Sequence, residues 1–121
     1  MSILTYQNNL SNEQILLLLL ERAVRDETAA MAAMAAGDRP GWIRELVHCR
    51  RIYVELMSAL DHMVAPELVA NLRRLYSWAL YHLNEASRTG NRETVQRVQE
   101  ATTNLYEGWM EAIASPAEMA P

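Results

Sequence analysis

The sequence contains no lysine and no phenylalanine, and its single cysteine is Cys49. One thiol excludes an intrachain disulfide and any zinc site built on several thiolates. Glycine and proline number four each. That scarcity excludes collagen-like and low-complexity chains and leaves few places to break a helix. Positive charge is also short: eleven arginines oppose fifteen carboxylates, a net charge of −4. Nucleic-acid binding calls for a basic surface that releases counterions, so a phosphate backbone is not the expected partner. The longest run of apolar side chains larger than alanine, Ile15 to Leu20, is six residues, far short of the ~20 that a bilayer-spanning helix requires. No membrane association is expected. No basic residue precedes that run in Met1 to Asn9, which argues against a secretory signal and toward a cytoplasmic protein.

What the sequence does have is helical periodicity with sparse punctuation. Half of its 121 residues are apolar, as expected of one globular domain. Ser11 and Gln14 form a Ser-x-x-Gln capping box opening a helix that carries Ile15, Leu19, Ala23, Ala30 and Met34 on one side. The stretch Gly37-Asp-Arg-Pro-Gly41 stops it. Trp42, Leu46, Cys49, Tyr53, Leu56, Leu60 and Met63 then alternate steps of four and three, a heptad seam. Pro66 and Glu67 suit the first turn of a third helix, which buries Val69, Leu72, Tyr76, Ala79, Leu83 and Ala86. Gly90 ends it and Asn91 caps a fourth, carrying Val95, Val98, Thr102, Leu105, Trp109 and Ala112 as far as Ser115-Pro116.

Helices over about residues 11–36, 41–63, 66–88 and 91–114 can bury their stripes only on one another. The expected fold is all-α: an antiparallel up-down four-helix bundle, a single domain over 1–121 with a short N-terminal segment.

Chemistry is thin. A di-metal bundle needs two Glu-x-x-His pairs and two further carboxylates, and the chain has one pair, Glu45 and His48. No metal or cofactor is expected. Cys49 and His48 are neighbours pointing about 100° apart on a helix, so they cannot pair as nucleophile and base. The scattered glycines form no phosphate loop. No catalytic residue is expected. What remains is apolar surplus: Ile15 to Leu20 covers every side of its helix, Leu68, Leu75 and Trp78 lie outside the main seam of the third, and Tyr106, Met110 and Ile113 outside that of the fourth. Such a surplus suits either a groove for a partner's amphipathic helix or a stable homo-oligomer.

The order of residues adds to this. Glu55-Leu-x-x-x-Leu60-Asp61, Asn71-Leu-Arg-Arg-Leu-Tyr76-Ser-Trp78, Leu83-Asn-Glu-Ala86, a Gly-Asn turn and Trp109, with Tyr6 and Ser11-x-x-Gln14-Ile15 ahead of them, resemble the FliS family of flagellin export chaperones. The likeness runs from about residue 6 to 113. It implies a cytoplasmic, non-enzymatic chaperone that binds the C-terminal segment of flagellin, prevents premature polymerisation and delivers it to the flagellar type III export apparatus, with possible docking at the export gate. A monomer or weak homodimer is expected. Together, likeness and surplus nominate Ile15, Leu18 and Leu19 with Leu68, Leu72, Leu75, Tyr76 and Trp78 as client groove, and Tyr6 and Leu10 as an N-terminal lid.

Overall fold

The computed structural model describes residues 12–114, and the side chains of 12–112. Those residues form four α-helices, α1 (Asn12–Ala35), α2 (Arg39–Ala59), α3 (Pro66–Thr89) and α4 (Arg92–Ala114), with a 3-10 turn (Leu60–His62) after α2. Helix α1 packs on α2 and α4, and α3 packs on the same two. The up-down bundle is therefore square, with α1 and α3 at opposite corners.

The connections follow local chemistry. Gly37 and Gly90 have φ of 70° and 72°, the left-handed conformation that only glycine adopts without Cβ strain. Helix α2 begins two residues earlier than the loop reading implied, because Asp38 is its N-cap and accepts from the Gly41 amide at 3.1 Å. Pro40 consequently lies in the first turn, where a missing N–H costs nothing. At the other end, the α-helical ladder stops at Ala59 and tightens into the 3-10 turn. Asn91 caps α4 by accepting from the Glu93 amide at 3.0 Å.

The core follows the seams. Leu20, Ala23, Leu46, Leu56, Leu83, Val95 and Val98 are fully buried, and each such side chain contributes roughly 1.5–3 kcal/mol if aliphatic and larger than alanine. The two ends of the bundle differ. Where α1 ends and α2 begins, the last turns of α1 are alanine-rich and Trp42 of α2 donates its Nε1–H to the Ser87 carbonyl at 3.1 Å. Where α1 begins and α4 ends, large apolar side chains crowd and spill outward: Leu18, Val64, Leu68 and Met110 are 41%, 97%, 37% and 47% exposed.

Gly90 joins the two kinds of constraint, since a Cβ there would come within 2.8 Å of Trp42 Cζ2. Gly90→Ala is expected to cost at least about 1–2 kcal/mol from backbone strain alone, and to displace the indole. Urea unfolding followed by tryptophan fluorescence measures both effects, and an unchanged midpoint would contradict this account of the turn.

Candidate functional site

The first polar feature lies inside the bundle. Glu27 of α1 is fully buried, an unusual position for a carboxyl group. It continues the α1 stripe between Ala23 and Ala30, and that gap in an otherwise apolar series is the signal that could have found it. The Tyr53 hydroxyl donates to Glu27 Oε2 at 2.8 Å and is also hydrogen-bonded to Thr102 Oγ1. Cys49 Sγ lies 3.6 Å from both Glu27 Oε2 and the Ala23 carbonyl. The ring of Tyr76 meets that of Tyr53 edge-on at 6.1 Å, so residues of all four helices converge here.

Burial dominates the electrostatics of this cluster. It lifts the Glu27 carboxyl from an ordinary 4.5 to about 8, with the Tyr53 and Cys49 hydrogen bonds pulling the other way and the Asp26 charge adding to the rise. Glu27 is accordingly a neutral acid at pH 7, and Oε1, which has no partner, is left to carry the proton. Burial also pushes the Cys49 thiol and the Tyr53 hydroxyl up, and lifts Tyr76 to about 12. A protonated, buried thiol is not a nucleophile. His48 reaches Asp26 at 2.5 Å, a contact between α1 and α2. Among the described residues no group of three or more His, Cys, Asp or Glu could hold a metal ion.

The nominated groove residues divide into three sets. Leu72 and Tyr76 are core, 4% and 0% exposed; they occupy the α3 seam that the bundle itself consumes, and this corrects their placement on an open surface. Ile15, Leu18 and Leu19 lie on the first turns of α1, with Ile15 and Leu19 half-buried. Asp26 faces α2 through His48, and steps of seven and four back from it reach Leu19 and Ile15, so those two look toward α2. Leu68, Leu75 and Trp78 lie on the other flank of α3 from the residues that meet α2, namely Asn84, Ser87 and Arg73. They border α4. The α1 and α3 sets thus occupy different seams rather than one straight groove. Tyr6 and Leu10 lie outside the described residues.

Trp78 is 37% exposed and Tyr81, which the sequence reading did not nominate, is 63% exposed. Both rings meet His82 edge-on at 5.1 Å. No helix among the described residues is long and apolar enough to cross a membrane.

An all-helical bundle with apolar side chains left at one end, and with chemistry confined to a sealed interior, has the form of a binding protein. The sequence model of the flagellar protein FliS family matches residues 5–116. The chain belongs to the FliS family. Membership assigns it a role among flagellar export chaperones, which are not enzymes. No curated protein matches the chain.

The buried acid of this FliS protein makes its stability depend on pH. The folded state keeps a proton that the unfolded state releases near pH 4.5. The associated stability is full below that value and is lost as pH rises through about 8, at no more than ~1.4 kcal/mol per pH unit for one proton. Glu27→Gln retains an acceptor for Tyr53 without a titrating group. Its urea midpoint is expected to fall less than the wild type's between about pH 5 and pH 9, and parallel profiles would refute the buried-acid assignment.

Proposed function

We propose that this chain binds the C-terminal helical segment of flagellin in the cytoplasm, keeps it from polymerising and delivers it to the flagellar type III export apparatus. The observation that carries this reading is the concentration of exposed Leu18, Val64, Leu68 and Met110 at one end of the bundle, in a family of flagellar export chaperones. Isolated surface leucines are ordinary; several at the same end, beside half-buried Ile15, Leu19 and Leu75, make a binding surface.

The geometry bears on how a client would lie. Because the α1 and α3 sets sit on separate seams, one straight helix does not cover both. A client touching Ile15, Leu18 and Leu19 as well as Leu68, Leu75 and Trp78 crosses the bundle end, where Val64 stands 97% exposed. A segment that folds as it binds suits such a bent path, and the ordering cost keeps the complex releasable. The same apolar face of the client would otherwise pack in a filament, so its occupation opposes polymerisation. Tyr6 and Leu10, which precede α1, are the proposed cover for the α1 set before a client arrives.

Calorimetric titration with the C-terminal segment of flagellin from the same organism tests this. Leu18→Asp and Trp78→Asp are each expected to weaken binding roughly tenfold to a hundredfold, the range of interface anchors losing 1.4 kcal/mol or more. Replacement of exposed Arg97 by Ala should leave it unchanged. Undiminished affinity in both aspartate variants, with folding intact, would reject the surface, and absence of binding by the wild type would reject the client.

A further inference from the structure

His82 stands between two exposed aromatic rings on α3. Its imidazole meets the Trp78 indole and the Tyr81 ring edge-on, each at 5.1 Å. Trp78 and Tyr81 are 37% and 63% exposed, and His82 is half-buried. Among the described residues, the Trp78 Nε1–H, the Tyr81 hydroxyl and the His82 ring nitrogens have no hydrogen-bond partner. Trp42 is the contrast, its Nε1–H held by the Ser87 carbonyl. The fold therefore leaves three rings in mutual contact whose apolar edges and polar atoms are both open to a partner. Tryptophan and tyrosine so placed are the side chains that most often anchor protein interfaces. Rings steadied by a neighbour also lose less freedom when they are covered.

The rings prolong an apolar strip. Leu68, Leu75, Trp78 and His82 follow one another at intervals of seven, three and four residues, which keeps them on one side of the helix, with Tyr81 at the edge. From Leu68 to His82 the strip is about 21 Å long at 1.5 Å per residue, more than half of α3. That length and spacing fit a partner helix of about four turns lying along α3. Charge beside the strip has no single sign and is engaged locally: Arg74 donates to Asn71, and Arg88 pairs with Glu85. Apolar contact rather than charge selects the occupant.

We propose that the client helix on α3 runs past Trp78 onto His82 and Tyr81, with Tyr81 as a direct contact and His82 as the positioning residue that holds both rings. Resting on the flagellin reading, this extension follows from continuity: a helix that covers the Trp78 indole reaches the His82 edge against which Tyr81 lies. Contact with the client is then not confined to the crowded end of the bundle but follows α3 toward its middle. The matching face of the client is a row of aliphatic side chains spaced by three and four, flanked by polar groups that meet the Tyr81 hydroxyl and the Trp78 Nε1–H.

Calorimetric titration of the full chain with the C-terminal flagellin segment tests this. Tyr81→Ala and His82→Ala are each expected to weaken binding by about threefold to tenfold. His82→Phe keeps a ring between its neighbours and should recover most of the affinity lost in His82→Ala; equal loss in the two would overturn the positioning role. Melting followed by circular dichroism shows that the variants fold. Photocrosslinking supplies a second measurement: p-benzoylphenylalanine in place of Tyr81 should form an adduct with the segment, and in place of exposed Arg97 it should not. Either unchanged affinity in both alanine variants or no adduct from position 81, in a chain whose binding Trp78→Asp still weakens, would overturn the extension and leave the flagellin reading standing. Failure of the wild type to bind the segment at all would overturn both. Adducts from position 81 that join two copies of the chain in place of the segment would give the rings to a second copy and equally overturn the extension.

Discussion

The structure turns on keeping one carboxylic acid inside a small bundle. Glu27 is fully buried and is tolerable there because it is neutral and because Tyr53, itself bonded to Thr102, supplies a donor. That chain of bonds runs from α1 through α2 to α4. A leucine in place of Glu27 could pack in several registers, whereas the Glu27, Tyr53 and Thr102 contacts form in one. The cluster adds alignment more than strength, since Oε1 of Glu27 and the hydroxyl of Tyr76 are buried without partners and each such group costs about 1–3 kcal/mol.

Alignment at the middle explains the division of labour between the ends. Beyond the cluster in one direction α1 carries small alanines, the connections are short, and Trp42 closes the core over Gly90. In the other direction α1 carries a run of leucines, and Leu18, Val64, Leu68 and Met110 are left partly in water. Apolar surface left in water at that end is a cost to the free protein that a bound client would offset. The part of the fold that holds the bundle together is thus remote from the surface proposed to bind.

Most of the architecture was legible in the residues. The heptad from Trp42 to Met63, the glycine stops and the asparagine cap are local rules, and local rules survive folding. The buried place of Glu27 was not legible, because a charged residue is normally solvated and only its position in the apolar stripe of α1 argues otherwise. The proposed client surface was legible in part. Spacing shows that Leu72 and Leu75 lie on different sides of α3, but which neighbour each side meets depends on the handedness of the bundle, and that is a tertiary choice. Tyr81, 63% exposed, was not nominated, because spacing within α3 alone does not show that its ring stays in solvent.

Charge illustrates the same limit from another direction. A net −4 describes the far field, and at a distance beyond a Debye length of about 8–10 Å the ionic solution screens even that. A partner in contact meets local charge instead. After Arg97 the sequence contains no cation, while Glu100, Glu107 and Glu111 follow on α4; the outer surface of α2 and α3 holds most of the arginines. Of these helices, α2 stands at the corner opposite α4 and α3 beside it. The deficit of positive charge in the whole chain therefore coexists with arginines gathered on two helices, where Glu45, Glu55, Glu67 and Glu85 of the same helices offset much of it, so what a partner meets depends on which turn it touches.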